Sequence, residues 1–463
     1  MKTNSPLMKS VLMASGLAAV FGLSALLTAS KMPRKYVAHE WGTFTSVQGG
    51  DGALLDWRPL ETSRLPGFVY DWTHPGLNRQ AAGGFAPGGV LTKRVMVTLQ
   101  RMETPVIYFY GDEEQTVDVE VKFPQGQITE WYPQAAQIGP STVPIPPAIA
   151  MLDNYLHKAG VKPAFTFASL LRNKPVSDSR ARWQNVRILP AKQHRELARS
   201  LPLDRSGSHY FSARDTDADY VRVNSLVATN PLPEHEKFIF YRGVGNFATP
   251  LRVTMNAGSA VTLANTGQAP LVHLFVLGLE GKAGGYSEVD RLAPGEQLTI
   301  DLARIQASAP VETISRRIGE RMAESLVSQG LYRREATAMV NTWKDSWFAE
   351  DGVRVLYLLP RVWTDSTLPL ALDPAPRELV RVMVGRAEVL SPARVHKLSE
   401  ELVKAKQGET AARERAVAEF RKLGRFGEPA LRLAAKGMDG SAYQTAWTLL
   451  QASAKPAADT RPL

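Results

Sequence analysis

The sequence predicts a mainly β fold with α additions: two β-sandwich-like domains, a helical cap between late strands, and a small C-terminal helical repeat module. Three observations carry this. Glycine and proline are frequent, 35 and 31 in 463 residues, which favours turns and short strands over a helical bundle. Runs rich in β-branched and aromatic residues recur with turn residues between them, at the spacing of a sandwich. Apolar residues at i, i+3, i+4 spacing mark two late helices, VETISRRIGERMAESLVSQG and YRREATAMVNTWKDSWF.

The elements follow in chain order. Lys2 and Lys9 flank the start of an apolar run, Val11 to Ala29. Residues 1–30 therefore read as a signal peptide or an N-terminal membrane anchor, and the remainder as exported. Residues 36–150 form a first β domain. KYVAHEWGTFTSV is its opening strand, and RVMVTLQ, PVIYFYG, TVDVEVKF and ITEWYP make a meander. A Gly/Pro/Asp-rich loop, 48–89, interrupts it, and irregular stretches of that length are usually functional. A helical linker spans 151–184, and a second β domain spans 185–303. A helical pair covers 311–349. Strands return over 352–390 to complete an earlier sheet. Residues 391–455 are helical, opened by the Ser391–Pro392 cap signal.

Composition excludes some chemistry. Cysteine is absent, so thiol catalysis, cysteine-ligated metal and disulfides are ruled out. Net charge is +10, which suits an anionic contact such as phospholipid or acidic saccharide. The basic residues are scattered, so nucleic acid is not the expected partner.

The candidate site begins at AHEWG. His39 beside Glu40 suggests an acid/base pair, with Asp56 from the following loop as a further catalytic carboxylate. His39, Asp71 and His74 form a candidate divalent-metal set. The metalloprotease pattern H-E-x-x-H is absent, because position 43 is Thr. Neighbours in a strand point to opposite faces, so His39 and Glu40 meet one substrate only if Gly42 marks a bulge. The loop interleaves Asp51, Asp56, Glu61, Arg64, Asp71 and His74 with Trp57, Tyr70 and Trp72. Aromatics beside carboxylates suit a saccharide or peptidic ligand. Trp41, Asp51, Trp57, Asp71, Trp72 and His74 are the candidate contacts. His209 and Arg214, from SGSHYFSARDTDADY, are added as groups able to complete that site. Asp215, Asp217 and Asp219 alternate there like the start of an EF-hand but fail its pattern, which leaves a weaker oxygen-ligand calcium site as an alternative. Arg242 ends the apolar strand FIFYR and needs either a carboxylate partner or an anionic ligand. The following Gly243-x-Gly245-x-x-Ala248 is rejected as a dinucleotide motif, since another strand follows instead of a helix.

AHEWGTFTSVQG, METPVIYFY, FIFYRGVG and TWKDSWF resemble phrases shared by a group of exported bacterial proteins without an assigned activity. The resemblance covers Tyr36 to about Leu390 and implies export but no particular chemistry. KLGRFGEPAL resembles the turn between helices of HEAT-type repeats, which implies a protein partner for residues 391–455. Three functions are expected to compete. One is an envelope protein that binds a saccharide or peptidic ligand. Another is a metal-assisted or carboxylate-driven hydrolase. The third is an envelope scaffold.

Overall fold

The structure, a computed structural model, describes residues 36–60, 65–71, 97–139, 178–204, 207–224, 232–304 and 309–454. The targeting segment 1–30, loop residues Glu61, Arg64, Trp72 and His74, and most of the 151–184 linker lie outside the described residues. Among the described residues no helix is long and apolar enough to cross a membrane.

The chain is mainly β, with seven α-helices among the described residues. Its early strands are β1 (Tyr36–Gly49), β2 (Tyr70–Asp71), β3 (Gln100–Gly111), β4 (Gln115–Phe123), β5 (Gly126–Tyr132), β6 (Gln137–Gly139) and β7 (Ser179–Leu189). The middle strands are β8 (Tyr220–Val223), β9 (Glu234–Glu236), β10 (Ile239–Gly245), β11 (Leu251–Met255), β12 (Ala260–Asn265), β13 (Leu271–Glu280), β14 (Ala283–Leu292) and β15 (Gln297–Asp301). The late strands are β16 (Ala309–Pro310), β17 (Gly352–Leu358), β18 (Leu370–Asp373) and β19 (Glu378–Leu390). The helices are α1 (Val311–Ser328), α2 (Arg333–Phe348), α3 (Arg361–Thr367), α4 (Pro392–Lys406), α5 (Thr410–Leu423), α6 (Gly427–Ala434) and α7 (Gly440–Ser453).

One ten-stranded sheet dominates, in the order β16-β14-β13-β17-β19-β1-β3-β10-β5-β2. It takes strands from both of the blocks expected as separate domains. The strands therefore do not segregate into one sandwich for 36–150 and another for 185–303. The cause is non-local pairing. β1 lies parallel to β19 across more than 300 residues of chain, and a register set that far apart leaves no local trace. Burial on both faces follows, and every residue of β1 but none of its periodicity reports it. The linker also ends earlier than expected, because β7 begins at Ser179.

One face of the large sheet packs on a second sheet, β18-β4-β7-β8-β9. Phe44 meets Phe123 of β4 at 6.4 Å, and Tyr241 meets Trp183 of β7 at 6.4 Å. A small third sheet, β11-β12-β15, is tied to β1 by Gln48, which donates to the Leu251 carbonyl at 3.2 Å and accepts from the Val253 amide at 2.8 Å. The other face of the large sheet carries α2, the short 3-10 turn His209–Arg214 and the C-terminal helices. Tyr108 seats that turn by donating to the Ala213 carbonyl at 2.6 Å. Ser391 caps α4 by accepting from the Arg394 amide, with Pro392 in the first turn as its sequence predicts.

The C-terminal helices share a core with the sheet, built from Val47, Trp57, Leu390, Leu398, Phe420 and Phe426. Trp57 is fully buried against Phe426 at 5.5 Å. Deleting residues 391–463 would strip that cover from Trp57, Val47 and Leu390. The expected loss is at least about 3–5 kcal/mol, the usual cost of emptying a site around one large core side chain. Urea unfolding of the truncated chain checks this. An unchanged midpoint would mean that the helices rest on the sheet without supporting it.

Candidate functional site: a buried arginine recess

The geometry divides the opening pair. The β1–β3 ladder shifts register between Trp41 and Thr43, so Gly42 does sit at an irregularity. A side chain at Gly42 would meet Pro105 Cα at 3.0 Å, and Pro105 has no amide hydrogen to give the ladder. The β1–β19 ladder, however, runs unbroken from Val37 to Gly49. His39 and Glu40 therefore keep their opposite directions.

His39 faces α2. Its Nδ1 donates to Glu335 Oε2 at 2.7 Å, a tautomer assigned from the carboxylate's need for a donor. Glu335 also accepts from the Tyr110 hydroxyl and the Tyr332 amide, each at 2.7 Å. Burial and then the Glu335 charge push the Tyr110 phenol well above its ordinary range, so it stays protonated and donates. This arrangement ties the first turn of α2 to the sheet and satisfies one of its free amides. Glu40 faces the other way. It accepts from Arg381 Nε at 2.6 Å and from the Tyr241 hydroxyl. Arg381 in turn donates to Asp365 at 2.8 Å and to the Leu368 carbonyl at 2.6 Å. Both residues are buried and partnered, on separate faces, and cannot act on one bond.

The other expected partners do not converge on His39. Asp51 and Asp56 follow the far end of β1, ten residues on, roughly 33 Å at the usual rise per residue. Asp51 closes its own turn by accepting from the Ala53 amide at 3.0 Å. Asp71 pairs with Glu130 at the edge of the sheet, four strands from β1, about 19 Å at normal strand spacing. The His39–Asp71 part of the metal set is thus not assembled, and His74 lies outside the described residues. Among the described residues no group of three or more His, Cys, Asp or Glu is placed to hold a metal ion.

The aromatic groove is corrected as well. Trp41 and Trp57 are both fully buried in cores, and Trp72 lies outside the described residues. Arg214 serves structure: it grips Glu236 at 2.6–3.2 Å and lies over Phe211 at 5.0 Å. Asp215 and Asp217 bind Arg334 at 2.5 and 2.6 Å. Asp219 accepts from two amides, of Gly111 at 2.7 Å and Ala191 at 2.9 Å.

His209 and Arg242 do come together, around residues the sequence reading missed. Arg242 has the carboxylate partner its position demanded, Glu130, at 2.8 and 2.9 Å. Beside it on the α2-facing side of the sheet lie Arg101 and Glu103 of β3. Glu103 accepts from Arg425 at 2.8 Å, which reaches in from the 3-10 turn Gly424–Phe426 between α5 and α6. Burial pushes the Glu103 carboxyl up, but Arg425 and Arg101 outweigh it and hold the group far below the usual range. A second network continues across the sheet. Arg354 and Arg386 share Glu388 at 2.8–3.4 Å, and Arg386 also takes Glu350 at 2.7 Å. Arg354 further donates to carbonyls of Trp347, Glu350 and Asp351 at 2.7–3.2 Å, capping the end of α2.

Arg101 is the exception in this set. It is 5% exposed. Its nearest carboxylate, Glu103, is 3.8 Å away, beyond hydrogen-bond reach. Its Nε is buried with no hydrogen-bond partner among the described residues. Burial is the main reason its pKa falls to about 10; Glu103 opposes the fall, while Arg242 and Arg425 add to it. The group is still charged at neutral pH. Buried donors of the same region, Arg425 Nε, Arg386 Nη1, Trp343 Nε1 and the Thr43 hydroxyl, also have no partner among the described residues. Most buried polar groups in native proteins are satisfied, so this concentration is unusual.

His209 lies beside this cluster, since Glu103, Arg242, Arg101 and Arg425 all act on its ring. Its side chain is exposed, yet burial holds its imidazole down to about 4. Glu103 pulls it upward, and Arg242, Arg101 and Arg425 push it further down. Its ring lies 5.0 Å from Trp343 of α2. His39 is at the other end of that helix: Glu335 and Trp343 are eight residues apart, about 12 Å along the axis.

The His209 shift has a sign that can be tested. Its pKa falls from 6.5 in the unfolded chain to about 4. The stability it contributes is present above 6.5 and lost as pH falls towards 4. Asp219 works against it, since burial raises its pKa from 3.8 to about 6. Its contribution is present below 3.8 and lost as pH rises through 6. Urea midpoints between pH 7 and 4.5 should therefore fall less in His209→Gln than in the unaltered protein. Equal slopes would place His209 in open solvent.

No protein-family model matches the chain, and no curated protein matches it. Among solved structures, it is similar to the Fcho1 Mu homology domain of Danio rerio, solved with a bound Eps15 peptide. Identity is 8% over 78% of this chain and 98% of that one, with a TM-score of 0.28, a likeness too slight to carry an argument.

Proposed function

We propose that this chain is an exported cell-envelope protein that binds an anionic ligand in the arginine recess. The observation that carries the reading is Arg101, a buried arginine whose Nε has no hydrogen-bond partner among the described residues and whose carboxylate neighbour, Glu103, stands 3.8 Å away. Burying a charge without a partner costs several kcal/mol. A protein keeps such a group where a ligand completes it. Export rests on the basic and apolar N-terminal segment. The hydrolase alternative loses its main geometric support, because His39, Glu40 and the loop carboxylates are held apart.

Thermal shift of the full chain across a set of small organic and inorganic anions tests this. A ligand at 100 times its Kd stabilises by about 2.7 kcal/mol. The expected result is a rise in Tm with at least one anion, absent in Arg101→Gln. No response to any anion, or an equal response in the variant, would sink the proposal.

A further inference from the structure

We infer that Arg425 is a positioning residue of the anion site: by holding Glu103 it keeps that carboxylate off Arg101, so that seating of the C-terminal helices leaves Arg101 open to an anion. The inference rests on the anion-binding reading and adds its regulation.

Glu103 is the shared group. It lies two residues from Arg101 in β3, and the two pair with Thr43 and Thr45 of β1 in regular register. Both side chains therefore leave the same face of the sheet. The carboxylate oxygens are divided between two arginines. Oε1 accepts from Arg425 Nη1 at 2.8 Å, and Oε2 stands 3.8 Å from Arg101 Nε. Among the described residues Glu103 is the one carboxylate within 4.0 Å of Arg101. A shift of about 1 Å would bring it into hydrogen-bond reach of that arginine.

The group that holds Glu103 back comes from the far end of the chain. Arg425 is the middle residue of the 3-10 turn Gly424–Phe426. Its guanidinium lies over Phe426 at 4.9 Å and Trp57 at 5.7 Å, and both rings belong to the core that the sheet shares with the C-terminal helices. Gly424 opens the turn at φ 51° and ψ −121°, backbone that glycine adopts without the strain other residues meet. The aim of Arg425 at Glu103 thus depends on seated helices and on Gly424. When that aim is lost, Glu103 is left as a buried carboxylate short of a cation. Arg101 is the nearest replacement, and a buried charge is costly without a partner. An anion would then have to displace Glu103 from Arg101. The linkage is reciprocal: seating the turn raises affinity for the anion, and an anion on Arg101 favours the seated turn.

Calorimetric titration of the full chain with acetate, inorganic phosphate and sulfate tests this, using Arg425→Gln, Glu103→Gln and the double variant. For whichever of the three the unaltered chain binds most tightly, Arg425→Gln should weaken binding by about ten-fold or more. Glu103→Gln removes the competing carboxylate, so adding Arg425→Gln to it should leave affinity nearly unchanged. An equal loss in both backgrounds would overturn the inference and make Arg425 a direct contact of the anion. Full affinity in Arg425→Gln alone would overturn it as well. Gly424→Ala keeps every charge and gives a second reading should Glu103→Gln not fold. It should speed amide exchange over the turn and α6 and weaken the same anion. Faster exchange with unchanged affinity would separate seating from binding and overturn the linkage. No binding of any of the three anions to the unaltered chain would overturn the anion site itself.

Discussion

Glu40→Ala should lower the unfolding free energy by about 3–5 kcal/mol, the range found when one partner of a buried ion pair is removed. Glu40 is fully buried. Its loss leaves the Arg381 Nε and the Tyr241 hydroxyl unpaired in the space between the large sheet and α3. Arg381 would keep Asp365 and the Leu368 carbonyl, so the arginine stays charged in place and carries the penalty. Burial first, and then the Glu40 charge, hold the Tyr241 hydroxyl protonated in the intact protein, and the variant removes its acceptor. Paired replacement should cost less: Glu40→Gln with Arg381→Met removes the stranded charge as well. Urea unfolding of the two variants measures this. A single Glu40→Ala within about 0.5 kcal/mol of the unaltered protein, the range of an ordinary surface change, would mean that Glu40 is solvated.

Arg101→Met should do the opposite. Methionine keeps the length of the side chain and removes an uncompensated charge. The depression of the Arg101 pKa from 12.5 to about 10 corresponds to roughly 3 kcal/mol of unfavourable surroundings for the cation. The expected gain is about 1–3 kcal/mol, the scale seen when buried ions give way to apolar groups. In a chain of this size that is a rise of several degrees in Tm, at about 2–4 °C per kcal/mol. Glu103 keeps Arg425 as its partner at 2.8 Å, so no carboxylate is stranded in exchange. A stabilised protein that no longer binds the anion is the behaviour of a site residue. A structural residue would give the reverse.

The contrast between these variants shows where sequence and structure part. AHEWG was legible as a strand with the right alternation. The partners were not: Glu335 and Arg381 lie some 300 residues or more away in the chain. Nothing local in YRREATAMV marks Glu335 as the residue that receives His39. The late strands were also legible, being apolar and β-branched, but their place beside β1 depends on non-local register. Trp57 misled because an aromatic among carboxylates looks the same in a binding loop and in the seam beneath a helical module. Arg101 and Glu103 were lost for a simpler reason. QRMET between RVMVTLQ and PVIYFYG reads as a break ending in proline, whereas β3 runs straight through it from Gln100 to Gly111. Thr104, at φ 48°, and the register shift absorb the proline. The available signal was the alternation itself, two charges separated by one methionine inside an apolar run, which places both on one buried face.

The most direct test of the account compares the unfolding free energy of Arg101→Met with that of the unaltered chain, without added anion and then with a saturating concentration of the anion that stabilises the unaltered chain most. The account predicts that the variant is the more stable of the two without ligand, by about 1–3 kcal/mol, and that ligand raises only the unaltered chain and closes the gap. A variant less stable than the unaltered chain in anion-free buffer would show that Arg101 is already partnered, and the recess would then be part of the core.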